Sequence, residues 1–280
     1  MKQYNDVVAP FIVKPKVAVL LGFGLLFLIL FLDILSPDDY RFVLLYLFPA
    51  AIIALNAKSK KVVILAFVLT FLFENYFLHR DGYYPLYFTK IEIFNLVIRF
   101  LSTLLIMWLA RSLRRSQLRV NFLANTDSLT GLWNRRWARI AIEQSLAKLE
   151  DHRETFSVAM IDVNDFKKIN DLQGHAVGDQ VLTKVAHLLM GFSSDDVSCC
   201  RLGGDEFLII AQNYDELKMK RLCGDIERKV NQEMQKANYA VSLSIGSVTY
   251  LKAPASVSEV LHQVDLKMYQ HKMEIKSARA

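Results

Sequence analysis

Three carboxylates carry the first chemical signal in this sequence. Asp162 closes an apolar run that begins at Phe156, and strand alternation points it the same way as Phe156, Val158 and Met160. Asp205 and Glu206 follow a Gly203-Gly204 pair set between the apolar segments Val197 to Leu202 and Phe207 to Ile210. Gly-Gly offers the positive φ that a tight hairpin demands. If that hairpin pairs beside the first strand, Asp162, Asp205 and Glu206 meet at one sheet edge, where they repel unless a divalent cation is bound among them. Such a cluster suits two-cation phosphoryl transfer. The stretch from Asp162 to Asp179 adds Lys167, Lys168, a run of short polar residues, two glycines and His175, then a helix start at Gly178-Asp179. Backbone N–H groups, a lysine and a helix start are what polyphosphate oxygens need. Asn170 and Asp179 suit the edge of a base: a carboxylate accepting from a ring N–H and an amino group matches guanine, while adenine lacks the ring donor.

An α+β scaffold must position these groups. The periodicities predict helix 134–149, strand 155–163, helix 178–192, strand 197–202, strand 206–211, helix 214–236, strand 240–249 and helix 256–274.

The first part of the chain is of another kind. Hydrophobic residues make up 53% of the chain and the mean hydropathy is +0.23, above ordinary soluble composition, which assigns part of it to lipid. Residues 1–120 hold 14 Lys and Arg against 7 Asp and Glu, so the basic excess sits with the apolar stretches and is not a nucleic-acid footprint. Cys199, Cys200 and Cys223 form no paired framework and read as reduced cytosolic thiols. Four stretches approach the length of a membrane-crossing helix: Val17 to Leu35, Phe42 to Ala57, Val62 to Leu78 and Ile93 to Ala110. Pro49 interrupts the second, which predicts a kink or a re-entrant segment. Lys2, Lys14 and Lys16, then Lys58, Lys60 and Lys61, then Arg111, Arg114, Arg115 and Arg119 place both termini in the cytoplasm. Glu74 and Arg99 interrupt the spans, with Asn95 four residues before Arg99, and read either as a structural ion pair or as a sensing pocket for an unknown ligand or partner protein. Leu109, Leu113, Ser116, Val120 and Leu123 step by four and three, an a/d seam that would align two copies in parallel.

Five ordered blocks now carry a resemblance: Asp127-Ser-Leu-Thr-Gly-Leu-Trp-Asn-Arg-Arg136, Asp162 to Asp179, Arg201-Leu-Gly-Gly-Asp-Glu-Phe207, Ser242-Leu-Ser-Ile-Gly246 and Asp265 to Lys272. Residues 127–276 resemble the GGDEF family of diguanylate cyclases. The resemblance implies a palm-like fold related to nucleotide polymerases and cyclases, and the condensation of two GTP into cyclic di-GMP and two pyrophosphates with Mg2+ (or Mn2+) by a homodimer. By the same resemblance Asp162, the Val163 carbonyl and Asp205 bind the metal. Asp205 or Glu206 helps to activate the 3′-hydroxyl, and Lys167 stabilises charge on the transferring phosphates, cradled by the Phe166 and Lys167 amides. Asn170, His175 and Asp179 line the nucleotide site, while Lys272 and Lys276 reach phosphates from the last helix. Lys276 stands where the family commonly has arginine, and Asn164 where it often has a second Asp. The family's product-inhibition motif, Arg-x-x-Asp, reads Ser194-Asp-Asp-Val197, so that site is absent.

The resulting expectation is an all-α four-helix transmembrane region at 1–110, a signalling helix at 111–126 and a GGDEF domain at 127–280, in the bacterial inner membrane with membrane lipid around it. A non-catalytic receptor responsive to GTP or cyclic di-GMP is the alternative, disfavoured because the carboxylates are retained. A cyclase acting on ATP is disfavoured by Asp179.

Overall fold

The computed structural model describes residues 15–36, 43–75, 90–152, 154–239 and 241–279. The chain divides into two compact units, Pro10–Val120 and Asn121–Ala280.

The first unit is helical: α1 (Pro15–Leu35), a 3-10 turn (Val43–Tyr46), α2 (Leu47–Asn56), α3 (Lys60–Asn75) and α4 (Lys90–Asn125), which runs on past the unit boundary. Pro49 is the third residue of α2, and the 3-10 turn Val43–Tyr46 gives way to α-helix just before it. Among the described residues two helices, Pro15–Leu35 and Ile93–Asn125, are long and apolar enough to cross a membrane; α2 and α3 are shorter. Residue 42 of the second apolar stretch and residues 76–78 of the third lie outside the described residues. Large apolar side chains cover the outside of this unit, among them Leu20, Phe31, Phe48, Ile64 and Phe94, far more than water tolerates in one place. Several polar groups inside it are partnered, whereas the buried Thr70 hydroxyl has no partner among the described residues. Tyr46 Oη donates to Asp33 at 2.8 Å. The Thr103 hydroxyl lies 3.1 and 3.3 Å from the Glu74 carboxylate oxygens, and Arg99 Nη1 donates to the Glu74 carbonyl at 2.6 Å. Asn95 is exposed. Arg111 and Arg114 donate to the carbonyls of Ala57 and Leu55, satisfying orphan acceptors at the end of α2.

The second unit comprises β1 (Trp133–Asn134), α5 (Arg135–His152), β2 (Phe156–Val163), α6 (Phe166–Gln173), α7 (His175–Met190), β3 (Val197–Gly203), β4 (Glu206–Gln212), α8 (Glu216–Lys236), β5 (Leu243–Tyr250) and α9 (Val257–Arg279). The sheet order is β1-β3-β4-β2-β5, with β1 parallel to β3 and every other pair antiparallel. β2 lies between β4 and β5 and is buried along its whole length. Its odd residues Ala159, Ile161 and Val163 pack with Val181, Leu182 and Val185 of α7 and Ile226 and Val230 of α8. Its even residues Phe156, Val158 and Met160 pack with Trp137 and Ile142 of α5 and Val260 and Val264 of α9. Asp162 shares the parity of the second set, so it faces the α5 and α9 layer.

Two expectations need correction. The segment after Asp162 was expected to stay irregular until Gly178, but Phe166–Gln173 is a helix, and the next one starts at His175 with Gly174 at its cap (φ 84°). An eight-residue helix is too short to show a period, and its first turn hides behind Asp165, which takes a left-handed φ of 60°. Asp179 therefore sits inside α7 and is not a cap. The two-residue strand β1 was also missed, being too short for any alternation.

Candidate active site

The β3–β4 hairpin turns at Gly203 and Gly204, whose φ values of 140° and 54° suit glycine. Pairing of β2 with β4 sets Asp162 directly opposite Glu206, and the Val163 N–H donates to the Asp205 carbonyl at 3.2 Å. The three expected carboxylates thus converge at one sheet edge. Lys272 reaches in from α9 and places Nζ 2.7 Å from Asp162 Oδ1. Burial raises the Asp205 carboxyl above its ordinary range, and the charge of Asp162 adds to this. Glu206 is also raised, again first by burial, with the Arg135 guanidinium pulling the other way and Asp205, Asp265 and Asp162 pushing further up.

Arg135 and Arg201 escaped the sequence reading. Arg135 Nε donates to the Leu202 carbonyl at 2.9 Å and its Nη2 lies 3.6 Å from Glu206 Oε2. Arg201 clamps the turn: Nε and Nη2 donate to the Gly204 carbonyl, and Nη1 pairs with Asp127 at 2.9 Å. Burial alone would raise the Asp127 carboxyl, but the Thr130 hydroxyl and N–H and the Arg201 guanidinium outweigh it, so it lies below the ordinary range. With Arg136 and Arg139, these arginines line a cavity of about 770 Å³ beside the turn. Asp127 and Glu143 line it as well. Asn164 is a strap rather than a ligand: its N–H and Nδ2 donate to the Ser242 carbonyl and hydroxyl, and Ser244 Oγ donates to its Oδ1, fastening the end of β2 to β5. His271 accepts the Ile245 N–H on the outer edge of β5. No periodicity reports such long-range partners.

On the other side of the β2 terminus, Phe166 and Lys167 open α6, so their N–H groups lack helical acceptors. Lys167 and His175 are exposed, and Phe166 is half-buried against the core. Asn170 Oδ1 is buried and has no partner among the described residues. It lies over Gly178, where an added Cβ would come within 1.9 Å of it. A buried acceptor of this kind is costly without a donor. Asp179 is exposed one turn after His175, and Lys276 is exposed one turn after Lys272; neither touches the carboxylates.

The oxygens of Asp162, Asp205 and the Val163 carbonyl form a hard donor set that fits Mg2+. Among the described residues no three His, Cys, Asp or Glu side chains close into a cage. Mg2+ is ordinarily held by a partial set of this kind together with substrate phosphates and water.

The family model for the diguanylate cyclase GGDEF domain matches residues 124–278. The chain belongs to this family. The GGDEF domain is 32% identical over 163 residues to diguanylate cyclase TpbB of Pseudomonas aeruginosa, covering 56% of this chain and 37% of that protein. It is 34% identical over 152 residues to diguanylate cyclase DgcP of Escherichia coli, covering 52% and 44%. The cyclic di-GMP phosphodiesterase PdeR of Escherichia coli is 30% identical over 161 residues, covering 57% and 24%. The chain therefore spans less than half the length of these relatives. Among solved structures, the coiled coil and GGDEF domain of DgcB from Caulobacter crescentus, in complex with c-di-GMP, is similar with a TM-score of 0.54 and 27% identity over 58% of this chain and 88% of that one.

Proposed function

We propose that this protein is a membrane-tethered diguanylate cyclase that joins two GTP into cyclic di-GMP and works as a dimer. The observation that carries the reading is the strand register that sets Asp162 against Glu206 beside Asp205, with Lys272 at 2.7 Å. TpbB and DgcP, both named as diguanylate cyclases, support it.

Asp162, the Val163 carbonyl and Asp205 would hold Mg2+ or Mn2+, which when bound offsets phosphate charge during transfer. Lys167, Lys272, Lys276 and the first amides of α6 bind phosphate oxygens. Asn170, His175 and Asp179 hold guanine. Asp205 or Glu206 takes the proton from the 3′-hydroxyl of one GTP as its oxygen bonds to the α-phosphorus of the other. The bond to the β-phosphate oxygen breaks and pyrophosphate leaves. A second transfer closes the ring.

One such site holds one GTP, so two domains must face each other. The exposed row Leu109, Leu113, Val120 and Leu123 on α4 supplies an apolar seam for a second copy. The four apolar stretches would cross the bacterial inner membrane with both termini and the GGDEF domain in the cytoplasm, as the Lys and Arg distribution favours. Glu74 and Arg99 would pass a stimulus on through α4.

Purified full-length protein given Mg2+ and GTP should yield cyclic di-GMP and pyrophosphate in a 1:2 ratio by chromatography, with specific activity rising with protein concentration. Bound GTP without product would favour the receptor alternative.

Base choice gives a second expected result. Asp179→Ser should lower the GTP over ATP preference in kcat/KM by about 10- to 100-fold, the range for hydrogen bonds to a charged acceptor. Competition between the two nucleotides reads it, and an unchanged ratio would remove Asp179 from the base site.

A further inference from the structure

The cyclase chemistry proposed above makes no use of the cavities of the helical unit. A slot of about 450 Å³ separates α3 from α4. Its depth is apolar, walled by Ile64 and Phe67 of α3 and Leu104 and Met107 of α4, while Trp108, Arg111 and Arg115 stand at one end. From Leu104 to Arg115 α4 rises about 16 Å, close to half of the roughly 30 Å hydrocarbon thickness. The cations there are uncompensated by sequence neighbours, since α4 has no Asp or Glu from Ile93 to Asn125 and α3 begins Lys60-Lys61. Arg111 uses one guanidinium donor on the Ala57 carbonyl, and Arg115 has no partner among the described residues.

We infer that this slot binds an anionic phospholipid of the cytoplasmic leaflet, with its phosphate on Arg111 and Arg115 and one acyl chain along Phe67, Leu104 and Met107. The inference rests on the membrane-spanning reading above. A neutral apolar ligand would leave the two arginines unused, and a small soluble anion would leave the apolar depth unused. A lipid with a charged head uses both. Trp108 sits between the two regions, where an indole favours the interface. Basic pockets between helices at the cytoplasmic face attract such headgroups. A second copy of the chain need not compete, because the slot row Leu104, Trp108, Arg111 and Arg115 is turned about 135° around α4 from the Leu109, Leu113 and Ser116 row.

The test offers detergent-purified, delipidated full-length protein equal amounts of phosphatidylglycerol and phosphatidylcholine, with retained lipid counted by native mass spectrometry. Wild type should retain phosphatidylglycerol about tenfold or more over phosphatidylcholine, given the contribution of each basic side chain near the headgroups. Arg115→Gln should reduce the preference several-fold. Leu104→Trp, which fills the slot and leaves the arginines and the Arg111 to Ala57 bond intact, should lower retention of phosphatidylglycerol to a similar extent. Equal retention of the two lipids by wild type, or an undiminished preference in both variants, would overturn the site. Alkaline carbonate washing of membranes separates the two readings. Release of the chain would overturn membrane insertion and the site with it, whereas a chain that stays in the membrane and shows no lipid preference overturns the site alone.

Discussion

Replacing Asp205 by Asn, or Glu206 by Gln, is expected to cut cyclic di-GMP synthesis by about a thousandfold or more, close to 4 kcal/mol of barrier. Each change keeps size and removes one charge from the edge where β2 meets the β3–β4 turn. The loss should come without unfolding. Asp205 is half-buried, and the charge of Asp162 repels its own. In metal-free buffer Asp205→Asn should therefore melt no lower than wild type, because the variant relieves repulsion that the active protein retains. Calorimetry paired with a pyrophosphate-release assay reads both quantities. Turnover within tenfold of wild type would reduce the pair to turn residues. A marked drop in melting temperature would show that the carboxylates hold the hairpin rather than the reacting groups.

Gly246→Ala should be nearly as damaging for a different reason. An added Cβ at position 246 would lie 2.0 Å from the Met268 nitrogen and 2.3 Å from the Lys267 carbonyl carbon, and these are backbone atoms that no rotamer change can move aside. α9 must then lift from β5. Lys272, one turn beyond Met268, would withdraw from Asp162, and the His271 acceptor would leave the Ile245 N–H. Overpacking of this kind costs about 1 to 3 kcal/mol, a fall of roughly 3 to 10 °C in a domain of this size. Turnover should fall about a hundredfold, a figure set by loss of phosphate and carboxylate alignment. Gly224→Ala, inside α8 where an added Cβ meets nothing within 4 Å, is the matched control and should leave turnover near wild type and the melting temperature no lower. Equal behaviour of the two variants would mean that α9 is not pinned at Gly246.

Much of the GGDEF domain is legible in the residues because its signals are local. Val197 to Leu202, Gly-Gly and Phe207 to Ile210 spell a hairpin over a dozen residues, and the alternation from Phe156 to Asp162 fixes which face the carboxylate takes. The helix Phe166–Gln173 was not legible, for its eight residues carry one buried apolar side chain, Ile169, and the Asp165 and Gly174 at its ends suit a loop as well as a cap. Asn164 could be set aside as a metal ligand, yet nothing around it announced Ser242 and Ser244, about eighty residues away, as its partners.

What the sequence alone determined is the set of reactive groups and their secondary elements: carboxylates at a strand end and a hairpin tip, a lysine- and asparagine-bearing segment between them, and an apolar first part with its cations arranged by side. Periodicity and turn chemistry act over a few residues, so they can be read along the chain. Only the tertiary structure decided that β4 lies beside β2 in the register that opposes Asp162 to Glu206, that α9 closes on Gly246 to bring in Lys272, and that Arg135 and Arg201 hold the turn from two directions. Asp162 and Glu206 lie 44 positions apart, Arg135 and Leu202 67, and Asp162 and Lys272 110. Their geometry is fixed by sheet order and by the packing of two helical layers, which no local pattern encodes.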